Sequence, residues 1–262
     1  MTRRFYVDLP HGQMHGRVCA QDGKPWLVLL HQSPSSSAMF DALIPHLAEN
    51  FSVIAPDNPG FGQSDAMSGT SMDDFTGAIA GVLRAFSIER CFVFGHHTGA
   101  AIGASLASAW PDLVAAVAFG GPPVLSAAAR AGLPNLAPVE VMHPDGSHLW
   151  AMWARLRSKE INAPPEISTR ELGLAFGASQ HTKAAYQAVA DQDFTAILKA
   201  LSQPVLMFAG ERDSLASALP DAAAARPNDP CVTLIDAGGY VCELKPELVA
   251  KMLTDFFLKA RS

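Results

Sequence analysis

Charge is scarce in this chain. Only 17% of its 262 residues are Asp, Glu, Lys or Arg, the formal balance is -6, and no cluster of lysines and arginines stands out. Nucleic acid or an anionic membrane surface would require such a basic patch, so neither is expected as a partner. Cysteine is also sparse: Cys19, Cys91, Cys231 and Cys242 lie far apart with no CxxC pair. That spacing supports neither a disulfide framework nor a zinc site, and the four read as reduced thiols. Every apolar run falls short of the roughly 20 residues that span a bilayer. Near the start, Asp8, His11 and Gln13 interrupt the stretch that a signal peptide would keep apolar, so a cytoplasmic location is the default expectation. Metal, nucleotide and flavin motifs are absent, so no cofactor is expected. Internal repeats and low-complexity tracts are absent too.

What the chain does have is a 49% hydrophobic composition over a length typical of one α/β domain. Short apolar runs alternate with helical patterns, as in a parallel sheet covered by helices. Trp26 to Leu30, Phe51 to Ala55, Cys91 to Phe94, Val114 to Phe119, Val205 to Ala209 and Cys231 to Ile235 read as strands. Helices are expected near 38–49, over 71–87, in the small-residue stretch Gly99 to Ala109, and from Pro246 to Lys259. Between about Gly121 and Ala190 the strand signals vanish, and prolines at 122, 123, 134, 138, 144, 164 and 165 separate helical segments. This region is expected to be a helical cap inserted in a single domain spanning 1–262. In it, Leu149, Met152, Trp153 and Leu156 share one helical face, either packing the insertion onto the body or walling a substrate site.

Gly95-His96-His97-Thr98-Gly99 follows a strand signal and precedes a helix signal. That is the setting of a GxSxG nucleophile elbow, with His97 where serine would stand. Four further segments fall in order around it. LLHQSPSSSAMF resembles an oxyanion loop with Gln32 in a glycine position, and APDNPGFGQSD resembles the DxxGxGxSD loop. AGERD resembles the loop that supplies a triad acid, and DAGGYVCELKPELVA the GGHxxxxExPExVA segment that supplies a triad histidine. Together these resemble the α/β-hydrolase superfamily over essentially the whole chain, and the GHHTGA form resembles a subgroup with histidine in the nucleophile position. The resemblance implies an α/β-hydrolase fold with a mostly parallel sheet. It places His97, Asp213 and Tyr240 where Ser, Asp and His are usual, and expects the three to converge on one pocket.

Without the serine oxygen the ordinary triad mechanism is closed, since its loss costs on the order of a millionfold in measured triads. Histidine, with an ordinary pKa of about 6.5, is largely neutral at pH 7 and can act as base or nucleophile. A tyrosine at position 240 would serve as donor or acid rather than base, and Asp213 could orient either group. The backbone N–H of Thr98 and one near Ser33 are expected to form an oxyanion hole. His31, His148, Trp150 and Trp153 are candidate substrate contacts. Asp57 and Asp65 are expected to fix their loop, His96 to belong to the turn, and the serines at 35 to 37 to serve loop and capping roles.

Three functions remain open at this level. One is hydrolysis of an ester, lactone or activated carbon–carbon bond in a small carbonyl compound. The second is cofactor-independent lyase, decarboxylase or oxygenase chemistry with His97 as base, and the third is ligand binding without catalysis. The expected partner is a small-molecule substrate, and the expected assembly a monomer or homodimer.

Overall fold

The computed structural model describes residues 1–137 and 142–260; Pro138, one of the expected breaks, lies outside them. Eight strands form one sheet: β1 (Arg3–Leu9), β2 (Gly12–Cys19), β3 (Trp26–Leu30), β4 (Ser52–Pro56), β5 (Cys91–His96), β6 (Val114–Gly120), β7 (Val205–Gly210) and β8 (Cys231–Leu234). Their spatial order is β1-β2-β4-β3-β5-β6-β7-β8. From β4 to β8 every pairing is parallel, while β2 runs antiparallel to both β1 and β4. Every residue of β4, β5 and β7 is buried, as expected of parallel strands covered on both faces.

β1 and β2 were not expected from the sequence. β1 is an edge strand in which Phe5, Val7 and Leu9 are only half-buried between exposed neighbours. Its alternation is therefore weak, and charged side chains break the apolar signal that marks the inner strands.

Eleven helices accompany the sheet among the described residues. Before β6 come α1 (Ile44–Leu47), α2 (Met72–Ala85) and α3 (Thr98–Ala109). Between β6 and β7 lie α4 (Ala127–Gly132), α5 (Ser147–Lys159), α6 (Pro165–Gly177), α7 (Ser179–Asp191) and α8 (Phe194–Ala200). The last three are α9 (Leu219–Ala225), α10 (Val241–Leu244) and α11 (Pro246–Ala260). α2 starts at a capping box in which Ser71 and Asp74 satisfy each other's backbone amides.

One core layer packs Ile79 and Leu83 of α2, Ile102 and Leu106 of α3, and Leu198 of α8 on one face of the sheet. The other holds Phe51, Phe92 and Phe257 of α11 in mutual ring contact.

β3 neighbours β4 on one side and β5 on the other, so the chain reverses its direction of travel across the sheet here. A crevice opens beyond the carboxyl ends of strands at such a reversal. The residues following β3 and β5, Gln32–Ser33 and His97–Thr98, stand there.

Candidate active site

The turn from β5 into α3 is built on close approach. A Cβ at Gly95 would stand 2.2 Å from the Gly99 carbonyl oxygen, and one at Gly99 would stand 2.0 Å from that of Leu30. Only glycine fits either place. Between them His97 has φ 49° and ψ -109°, a conformation that costs a non-glycine residue of order 1–3 kcal/mol. Its N–H donates to Gly120 O at 2.9 Å, and its carbonyl accepts from Ala100 N at 2.9 Å, so both neighbours hold the strain in place. The helix begins at Thr98, whose amide has no partner within the helix.

His97 points its Nε2 at Asp213, 2.9 Å from each carboxylate oxygen. An ionised carboxylate only accepts, so Nε2 carries the hydrogen and Nδ1 keeps its lone pair. Nδ1 has no hydrogen bond among the described residues. The His97 side chain is 18% exposed and borders a cavity of about 850 Å³. Asp213 sits just after β7, where its Oδ1 also accepts from Leu215 N at 2.8 Å. Burial alone would raise its pKa, but His97, His96 and the Leu215 amide outweigh burial and hold it below the ordinary carboxylate value. Gly121 supports the ring: its φ is 58°, and a Cβ there would lie 2.3 Å from His97 Cδ2.

His96 stacks on His97 with ring centroids 4.3 Å apart and 17° between planes. Its Nε2 donates to Gly239 O at 3.2 Å. Burial first, then the neighbouring His97, lowers its pKa to about 3, so it is a neutral ring stacked on that of His97. His96, His97 and Asp213 are the described residues close enough to suggest a metal site. Their geometry does not suit one, because nearly parallel stacked rings direct their in-plane lone pairs alongside each other rather than at a common point.

Tyr240 is not brought to this cavity. It is 0% exposed, and its hydroxyl has no hydrogen-bond partner among the described residues. Burial and the Glu171 and Glu243 carboxylates raise its pKa, so it remains a phenol. The residue that borders the cavity is its neighbour Gly239, where a Cβ would meet nothing within 4 Å. The same GGHxxxxExPExVA pattern, counted back from Pro246 instead of forward from the glycines, lands on Gly239. This segment is one residue shorter than the pattern, and that was the signal available.

Ser33 and Thr98 both border the cavity, and Tyr186 of α7 donates to Ser33 O at 3.1 Å. His31 does not border it. Fully buried, it takes the Asn58 amide on Nε2 at 2.8 Å and donates Nδ1–H to Gln32 O at 2.7 Å, so both ring nitrogens are spent on backbone. Asp57 accepts from His15 Nδ1 at 2.6 Å, Ser37 N at 2.7 Å and Gln63 N at 3.0 Å, tying the loop after β4 to the one after β3. Asp65 accepts from Gln13 N at 2.8 Å, and Ser36 caps the turn that follows it.

The aromatic contacts expected from α5 lie elsewhere as well. Trp150 is 74% exposed, Trp153 is half-buried away from the cavity lining, and half-buried His148 accepts from His143 N and packs edge-on against Phe176. Met152 and Leu156 pack on Ala175, so that face of α5 binds helix to helix. Its cavity face carries Arg155, Ser158 and Lys159 instead, and Arg212 approaches from the loop after β7. These cations have no spacing motif to announce them.

The fold and the order of these loops define an α/β-hydrolase scaffold, and comparison with known proteins agrees. A family model described as the alpha/beta hydrolase fold matches residues 25–139. The chain is 30% identical to the 2-(acetamidomethylene)succinate hydrolase of Mesorhizobium japonicum over 262 aligned positions, covering 94% of this chain and 92% of that protein. It belongs to the α/β-hydrolase fold family. The crystal structure of E-2-(acetamidomethylene)succinate hydrolase superposes with a TM-score of 0.78 at 26% identity, over 98% of this chain and 99% of that one. The enol-lactonase of Burkholderia xenovorans LB400 shares the fold, with a TM-score of 0.77 at 21% identity, over 97% of this chain and 100% of that one. No described helix is long and apolar enough to cross a membrane.

Proposed function

We propose that this protein is a hydrolase that cleaves an ester, lactone or activated carbon–carbon bond in a small carbonyl compound, with a His97–Asp213 dyad in place of the serine triad. The observation that carries this is the pair of 2.9 Å contacts from Nε2 to Asp213, which leave the other ring nitrogen of this cavity-bordering residue unprotonated. Nδ1 takes a proton from water, and the resulting hydroxide adds to the substrate carbonyl. Asp213 stabilises the imidazolium, which returns the proton to the leaving group. Positioned general bases contribute about 10²–10⁴ in rate. The oxyanion falls to the Thr98 amide and the amide at Ser33, a hole whose single donors are worth about 10²–10³ each. Tyr240 makes no bond in this scheme; it is buried outside the cavity lining.

Support also comes from the full-length relative named as a hydrolase and from the strain maintained at His97. The GHHTGA turn is then the mark of a subgroup that runs hydrolysis from the elbow imidazole. The helices from α4 to α7 act as a cap, since Leu133, Arg155 and Tyr186 border the same cavity as His97.

Turnover of a panel of esters, lactones and β-diketones in H₂¹⁸O tests the proposal. It expects one ¹⁸O in the acid product. Proton–deuterium exchange at a carbon acid without hydrolysis would point to lyase-type chemistry, and binding with no turnover across the panel to a ligand-binding protein.

A further inference from the structure

We infer that the cavity contains a carboxylate-binding subsite built on Lys159, so that the substrate is a small organic acid carrying its reactive carbonyl within reach of His97. The inference rests on the hydrolase reading only for the placement of that carbonyl.

The chain carries a net charge of -6, yet the cavity beside His97 is bordered, among the described residues, by Arg155, Lys159 and Arg212 against the one carboxylate of Asp221. These cations are not equivalent. Arg212 lies within 3.5 Å of Glu160, 3.2 Å of Glu211 and 3.4 Å of Asp236, so its charge is already answered. Arg155 donates to the neutral Leu136 carbonyl and has no carboxylate partner among the described residues. Lys159 has neither an ion pair nor a hydrogen bond among the described residues. It stands four residues after Arg155 on α5, so two like charges repel across one helical turn on the cavity face. Lys159 is only partly exposed, and its ammonium offers three donors and no acceptor, so these are left to solvent or to a ligand in the cavity. Burial lowers its pKa and Arg155 lowers it further, while the Glu171 and Asp213 carboxylates act in the opposite direction.

A mobile anion resolves all of this at once. A carboxylate seated on the ammonium neutralises Lys159 and relieves its repulsion with Arg155. Lys159, His97 and Thr98 border the same cavity, so a small acid seated on Lys159 can present its carbonyl toward the Thr98 amide. The positive lining in a negative protein also favours entry of anions over neutral compounds.

Isothermal titration with succinate, and with succinamide as its uncharged counterpart, tests the subsite without requiring turnover. Succinate is expected to bind the wild type, weakening as NaCl is raised, and succinamide to bind at least about tenfold more weakly, as for loss of a charge-assisted contact. Lys159→Gln should lose about tenfold to a hundredfold in succinate affinity at an unchanged melting temperature, and Lys159→Arg should restore most of it. Succinamide binding as well as succinate, Lys159→Gln binding like the wild type, or no succinate binding at millimolar concentration would each overturn the subsite. If Lys159→Gln fails to fold, the succinate–succinamide comparison and Lys159→Arg decide the matter. His97→Ala should bind succinate normally, so failure of the hydrolase reading and failure of the subsite give different results.

Discussion

His97 does two jobs with one residue: its backbone makes the strained turn, and its ring reaches the acid that a triad would reach through a second histidine. Gly121 is the residue that allows this. Gly121→Ala places a Cβ in the His97 ring and a side chain at φ 58°. It should lower stability by about 1–3 kcal/mol and lower turnover more than that loss explains, checked by thermal melts beside steady-state kinetics. Gly239 offers the reverse experiment. His97→Ser alone leaves Asp213 without an imidazole and should show no esterase activity. His97→Ser with Gly239→His supplies an imidazole from the open position beside the cavity, and should exceed the single variant on p-nitrophenyl acetate. Equal activity of the two would mean that the position does not reach the dyad. At this scale His97 and Asp213 were legible because each sits in a motif with fixed neighbours. Tyr240 was misplaced because its segment is one residue short, and Lys159 was invisible because a lysine ending an amphipathic helix looks like any solvated charge.

The elements between β6 and β7 are tied to the body by buried charge. Arg170 of α6 donates to Ala38 O, Glu171 and Glu243 of α10, and Glu171 also accepts from Ser35 Oγ at 3.1 Å. Two carboxylates share one guanidinium. Burial pushes the Glu243 pKa up to about 8, against the pull of Arg170, and Glu171 adds to the rise. The ordinary value is 4.5, so between there and about 8 the folded protein keeps a proton that the unfolded chain releases. Stability should therefore fall as pH climbs through that window, by at most about 1.4 kcal/mol per pH unit from this group, and level off above it. Glu243→Gln should flatten that part of the slope in melts at pH 5 to 8; a slope identical to wild type would assign it elsewhere. The inner strands and the closing helix were readable as apolar runs and helical spacing. β1 and β2 were not, because a half-exposed edge strand bears the charges that hide it. The cavity face of α5 was not either, because spacing reveals which residues share a face and not which partner that face meets.

At the scale of the whole molecule, the order of five loops around a switch in strand order carries more information than any single motif. That order makes the fold legible: the loops after β3, β5 and β7 must meet at one end of a parallel sheet. Chemistry is less legible, because it depends on which atoms the converging loops leave free, and here that is one ring nitrogen of His97. The account's central claim is that this nitrogen performs the reaction. The most direct test compares kcat/KM of His97→Gln with wild type on one hydrolysed substrate, with melting temperatures measured alongside. The account predicts a loss of about 10³-fold or more with the melting temperature nearly unchanged. A His97→Gln enzyme as active as wild type would contradict it.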